Sequence, residues 1–244
     1  MSSAAESSGA YPRHVPDEVV PPRKPGFETL AIHAGQEPDP TAGAVTVPIF
    51  QTSTFAQEAV GKHKGYEYAR TGNPTRTALE TCLAALEGGA WGLAFASGMA
   101  ATDAVAHLLA SGDHVVMGDD VYGGTYRLFA RVYDRAGIEL TAVGMRDPAN
   151  VRKAVDKRTK LVWIESPTNP LLKIVDIAAV AAIAHEAGAL AVVDNTFASP
   201  YLQQPLGLGA DLVLHSTTKY IGGHSDVVGG ALVGTDADLR DRLA

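Results

Sequence analysis

Ile177-Ala-Ala-Val-Ala-Ala-Ile-Ala-His-Glu-Ala-Gly188-Ala-Leu190-Ala-Val-Val-Asp194 holds one whole unit of the fold. Apolar residues recur at helical spacing over 177–187, Gly188 stands where a helix stops, and the apolar run that follows reads as a buried strand ending on an acid. The same alternation extends outward in both directions. Apolar or β-branched runs at 93–96, 114–118, 139–143, 161–164, 190–193 and 212–215 alternate with helical patterns at 99–110, 125–136, 148–155 and 177–187. Gly112 and Gly137 are two further expected stops. This βαβα order implies an α/β domain with a mostly parallel sheet, helices on both faces and right-handed crossovers.

Sites in such sheets form at the carboxyl ends of the strands. The conspicuous polar residues fall at those ends: Ser97 and Gly98, Asp119 and Tyr122, Glu165 to Asn169, Asp194, then Ser216 to Lys219. Five strand ends carrying such residues point to one shared pocket.

With 244 residues, 46% of them hydrophobic, the chain can bury a core in one large domain with an arm. The formal net charge of -7 and the scattered basic residues argue against a nucleic-acid surface. The longest strictly apolar stretch, 177–184, is far short of a membrane span. Residues 1–26, rich in Ser, Ala and Pro without the apolar middle of a secretory signal, read as a disordered lead-in, and a cytoplasmic protein is expected. Residues 27–64 lack sustained periodicity and read as an extended N-terminal arm that must pack on something else; residues 65–244 form the large domain. The single cysteine, Cys82, excludes an internal disulfide and reads as a buried helix residue. The histidines show no zinc-type spacing, and no metal is expected.

Each candidate site residue has an ordinary reading beside the chemical one. Ser97-Gly98-Met99 lies where a strand gives way to a helix, so the backbone N–H groups of Gly98 and Met99 can face an anion at the positive helix end. Ser97 as a plain helix cap explains the same string. Ser216 and Thr218 supply hydroxyls, or simply a turn. Tyr122 can lie over a flat heterocycle or pack at a rim. Asp194 needs a cation or donors to stay charged, which a protonated pyridine nitrogen, a helix cap or an ion pair would each satisfy. Glu165 and Asn169 can shape the same pocket, although the prolines around them speak first for a rigid turn. Lys219 sits in a hydroxyl-rich loop followed by Gly222-Gly223, and an accessible lysine that can lose its proton forms a Schiff base with a carbonyl such as that of pyridoxal phosphate (PLP). Most lysines, however, are merely solvated.

Taken together, Tyr68-Ala-Arg70-Thr-Gly-Asn-Pro-Thr, Ala96-Ser-Gly-Met, Asp120-Val-Tyr-Gly-Gly, Glu165-Ser-Pro-Thr-Asn-Pro, Val193-Asp-Asn-Thr-Phe and Ser216-Thr-Thr-Lys-Tyr-Ile-Gly-Gly-His-Ser-Asp resemble the trans-sulfuration (Cys/Met metabolism) family of PLP-dependent enzymes. The resemblance runs from about Phe27 to the last residue. It implies the large domain of fold type I PLP enzymes. Lys219 would hold the cofactor covalently, Asp194 would pair with its ring nitrogen, and Tyr122 would stack on the ring. Gly98, Met99, Ser216 and Thr218 would hold the phosphate, and Asn169 would lie near the 3-hydroxyl and the substrate carboxylate. Tyr68 and Arg70 would reach the phosphate of a neighbouring subunit, which implies a homodimer or homotetramer with shared sites. Family members continue into a smaller C-terminal domain carrying an arginine for the substrate carboxylate, so the resemblance implies that this chain lacks that domain and is impaired alone. The implied reaction is a cystathionine γ-synthase-like γ-replacement, in which an O-acylhomoserine and cysteine give cystathionine in methionine biosynthesis. Cystathionine γ-lyase chemistry is the alternative, and Gly124, where methionine γ-lyases carry a cysteine, speaks against that third activity.

Overall fold

The computed structural model describes residues 24–244, so most of the expected lead-in, 1–23, lies outside the described residues. Seven strands form one sheet: β1 (Trp91–Phe95), β2 (His114–Gly118), β3 (Glu139–Val143), β4 (Thr159–Glu165), β5 (Leu190–Asp194), β6 (Leu212–His215) and β7 (Gly230–Gly234), in the order β1-β7-β6-β5-β4-β2-β3. The β3-β2-β4-β5-β6 block is parallel, and β7 runs antiparallel between β6 and β1. The six expected strands are all present.

Helices cover the sheet: α1 (Phe27–His33), α2 (Pro74–Glu87), α3 (Gly98–Ala106), α4 (Gly123–Arg127), α5 (Pro148–Ala154), α6 (Ile177–Glu186), α7 (Ser199–Leu202) and α8 (Ala237–Leu243). Local chemistry sets their ends. Asn73 accepts from Thr75 N–H and Pro74 opens α2, while Asp176 caps α6 through Ala179 N–H. The stop at Gly188 is physical, since its φ of +72° is a left-handed conformation that side chains disfavour. The helix expected over 125–136 is broken up: α4 passes into a π-helical turn, Leu128–Val132, and a 3-10 turn, Tyr133–Ala136.

Strand side chains alternate between two apolar layers. Val116, Val162, Val193 and Val213 pack on the face that carries α5 and α6; Val115, Met117, Trp163, Val192 and Leu212 pack on the face that carries α3. Burial on both faces explains the nearly unbroken apolar runs. The arm is not extended throughout, because it begins as α1, which lies against α2. Beyond α1 its apolar residues have little cover within the chain, and Val45, Ile49 and Val60 are exposed. Cys82 is half-buried on α2 rather than buried, its thiol turned toward Leu30 of α1.

Strand β7 escaped the sequence reading because Gly229-Gly230 at its start reads as a turn. Those glycines are there for contact: a Cβ on Gly230 would stand 2.1 Å from the Ser97 carbonyl oxygen. The close approach pins the β1–α3 loop against the start of β7. Gly230→Ala should therefore cost about 1–3 kcal/mol of stability, the usual penalty for forcing extra volume into a packed site. Chemical denaturation measures it, and an unchanged midpoint would contradict this role for the glycine.

Candidate active site

The carboxyl ends of the strands enclose a cavity of about 300 Å³. Gly98 and Met99 enter it after β1, Tyr122 after β2, Glu165 from the end of β4 and Asn169 after it, Asp194 from β5, and Ser216, Thr218 and Lys219 after β6. Pro167, Thr196 and Phe197, quoted within the motifs but given no role, also line it, as do Thr125 and Val228, which the sequence reading did not note. Their types carry no chemical signal; only the fold gathers them.

The β1–α3 loop supplies donors. Ser97 caps α3 by accepting from Ala100 N–H, and the Ala101 N–H bonds the Ser97 carbonyl. The N–H groups of Gly98 and Met99 make no hydrogen bond among the described residues and belong to the cavity wall. Gly98 is required here, because a Cβ would come within 2.8 Å of the Ser216 Cβ. The Ser216 side chain thus sits directly beside the free donors. Thr218 is already engaged: its hydroxyl donates to the Gly229 carbonyl (3.2 Å) and accepts from the Gly229 N–H (3.0 Å).

Two acids sit side by side at neighbouring strand ends, where Glu165 and Asp194 are paired in register. Glu165 accepts from the Tyr122 and Asn169 backbone N–H groups, both at 2.8 Å, and so ties the β2 and β4 loops together. Asp120, buried just before Tyr122, strengthens that tie by accepting from Leu171 N–H and the Thr168 hydroxyl. Burial first, then the neighbouring Asp194 charge, pushes the Glu165 carboxyl up to about 8 despite its two donors. Burial also raises Asp194, an effect opposed by hydrogen bonds from Thr196 and by the nearby His215. No basic side chain forms a salt bridge with either acid among the described residues.

Lys219 is exposed at the cavity, and among the described residues its amine makes no hydrogen bond or ion pair. Tyr122 is half-exposed, its ring against Gly124 and close to Met99; a Cβ on Gly124 would lie 2.3 Å from the tyrosine ring. Tyr68 and Arg70 stand apart. They line a shallow depression on the arm with Phe50 to Ser53, the Arg70 guanidinium 4.8 Å from the Tyr68 ring centre, and neither lines the Lys219 cavity of its own chain.

The residues present fit PLP. A buried carboxylate beside a second acid, with no salt-bridge partner, suits a cationic ring nitrogen. Free N–H groups at the start of α3 beside the Ser216 hydroxyl suit a phosphate. An accessible amine suits an aldehyde, and Tyr122 offers a ring face. A cofactor held here would supply an electron sink for charge developing on a bound amino acid.

Comparison with known proteins agrees with this geometry. Residues 28–244 match the family described as Cys/Met metabolism PLP-dependent enzyme. The chain is 60% identical over 218 residues to a probable cystathionine gamma-synthase of Herpetosiphon aurantiacus, covering 89% of this chain and 68% of that protein. It is 57% identical over 216 residues to a cystathionine gamma-lyase of Bacillus subtilis, covering 88% of this chain and 57% of that one. The crystal structure of metB from Corynebacterium glutamicum superposes with a TM-score of 0.89 at 56% identity, over 90% of this chain and 57% of that one. The chain thus spans between 57% and 68% of the length of these relatives.

The acid pair has a pH signature. Glu165 is raised from 4.5 to about 8, so the folded cofactor-free chain binds more protons than the unfolded chain between those values. Its stability should therefore fall as pH rises through that window. Asp194→Asn, which removes the neighbouring charge, should flatten the fall. Melting curves across the window check this, and an identical slope in both chains would rule out the coupling.

Proposed function

Because this chain belongs to the Cys/Met metabolism PLP-dependent enzyme family, we propose that its role there is γ-replacement of the cystathionine γ-synthase type. An O-acylhomoserine and cysteine give cystathionine and the free carboxylic acid. The observation that carries the reading is the convergence of Lys219, Asp194 and the free donors of Gly98 and Met99 on one cavity. The 60% identity to a probable cystathionine gamma-synthase supports the specific reaction.

In this reading Asp194 holds the positive charge on the ring nitrogen, and Tyr122 covers the ring. Gly98, Met99 and Ser216 would take the phosphate, joined by Thr218 if its hydroxyl turns away from Gly229, while Asn169 would lie near the 3-hydroxyl and the substrate carboxylate. Lys219 would hold the cofactor through its aldehyde, and its freed amine would accept the Cα proton of a bound amino acid and move protons between Cα and Cβ. The acyloxy group leaves Cγ and the cysteine sulfur adds there, so one carbon–oxygen bond breaks as one carbon–sulfur bond forms. Tyr68 and Arg70 serve the phosphate of a second copy of the chain, the planar guanidinium donating two hydrogen bonds at once. Their position off their own chain's cavity and the exposed apolar residues of the arm support an assembly with shared sites.

Cystathionine γ-lyase chemistry is the second reading, favoured by the 57% identity to a protein of that name. The two readings part in one assay, run on the chain joined to the segment of the Herpetosiphon relative that the match does not cover. With O-succinylhomoserine and cysteine, cystathionine should accumulate. Mixing Arg70→Ala with Lys219→Ala chains of the joined protein should restore part of that activity. Cleavage of cystathionine to cysteine and 2-oxobutanoate without any condensation would replace the first reading by the second, and failure of mixing to restore activity in dimers would remove the shared site.

A further inference from the structure

The strand ends present two faces, one toward the cavity and one away from it. Residues 165, 194 and 214 line the cavity at the ends of β4, β5 and β6, as do 167, 196 and 216 just beyond them. The residues between them, Ser166, Asn195 and His215, are buried and are engaged by a second set of groups. Glu87, the last residue of α2, receives two of them on a single oxygen: its Oε1 accepts from Asn195 Nδ2 at 2.8 Å and lies 2.5 Å from His215 Nε2. Gln203 joins the third strand. Its Nε2 donates to the Ser166 carbonyl and to Asn195 Oδ1, both at 2.8 Å, while Asn195 Nδ2 also donates to the Gln203 carbonyl at 2.8 Å.

We propose that Glu87, Asn195, Gln203 and His215 form a positioning network for the cofactor site, holding the ends of β4, β5 and β6 from behind so that Glu165, Asp194 and Ser216 keep a fixed spacing in front. The proposal rests on the reading of the cavity as a PLP site. Its partners are far apart in sequence, 108 residues from Glu87 to Asn195 and 128 from Glu87 to His215, so no local turn accounts for them. The network is also a poor way to gain stability alone. Glu87 is 1% exposed, and its Oε2 is buried with no partner among the described residues. A half-satisfied buried acid is costly, and apolar packing of similar volume would serve stability better. What the acid does instead is fix two strand ends to one atom of a helix. His215 adds a charge effect, because it lies near enough to Asp194 to oppose the rise that burial imposes on that acid.

The test separates positioning from plain stability. Two backbone amides report the spacing of the β5 and β6 ends: Asn195 N–H, bonded to the Leu214 carbonyl at 2.9 Å, and Ser216 N–H, bonded to the Thr196 hydroxyl at 2.9 Å. In Glu87→Ala, hydrogen exchange at these amides should rise by about tenfold relative to amides of β2, as expected where a local opening loses its buried hydrogen bonds. The dissociation constant for PLP, from absorbance titration, should rise by about tenfold, and the absorbance maximum of bound cofactor should shift. Val151→Ala, a core change on α5, should lower overall stability without moving any of the three readouts. Gln203→Ala, a milder change, should move them in the same direction and decides the matter if Glu87→Ala does not fold. Exchange ratios in the folded variant like those of the parent chain, or equal changes in Val151→Ala, would overturn the proposal. A parent chain that binds no PLP would sink the cofactor reading instead, while the exchange ratios in cofactor-free protein would still decide the network.

Discussion

A carboxylate taken out of water needs positive charge or donors, and Asp194 has few of either. It ends the central strand β5, buried, with Thr196 as its hydrogen-bonding support and a second acid, Glu165, on the neighbouring strand. Two adjacent carboxyls without a salt-bridging cation strongly favour a positively charged ligand, and the rest of the cavity limits what that ligand is. It must also satisfy the free N–H groups of Gly98 and Met99, lie against Tyr122 and come within reach of Lys219. Pyridoxal phosphate carries a basic ring nitrogen, a phosphate and an aldehyde on one flat ring, and it meets all of these demands at once.

The site depends on close backbone approaches as much as on charge. Gly98 lets the β1–α3 loop meet Ser216, and Gly230 lets β7 run beneath Ser97. The antiparallel β7 therefore does more than finish the sheet, since it fixes the height of the β1–α3 loop relative to the strand that leads to Lys219. Glu165 does the equivalent on the other side, joining the loops of Tyr122 and Asn169 through one carboxyl group.

Much of this was legible in the sequence, for identifiable reasons. The parallel strands are buried on both faces, so they read as continuous apolar runs, and the acid or hydroxyl that breaks each run marks the strand end. Asp194 could be named because it ends a strong apolar run, whereas Tyr122 and Lys219 follow strand ends in polar loops and took their roles from the resemblance. Strand β7 could not, because its flanking glycines, needed for contact, carry the signature of a turn. Helix α1 was hidden in a short, mostly exposed segment of the arm, and the π-helical turn at Leu128 has no periodicity distinct from an α-helix over so few residues. The Glu87 network joins residues more than a hundred positions apart and leaves no local pattern at all. Tyr68 and Arg70 were found only through the resemblance, and within one chain they sit away from the cavity.

The central claim is that Lys219 is the amine of this cavity that takes the cofactor. The chain is mixed with PLP, reduced with borohydride, digested and analysed by mass spectrometry. The account predicts one reduced adduct, on the peptide that contains Lys219, and its loss in Lys219→Ala with the protein still folded. An adduct carried mainly by another lysine, such as Lys173 in the loop after β4, or one that persists undiminished in Lys219→Ala, would contradict it.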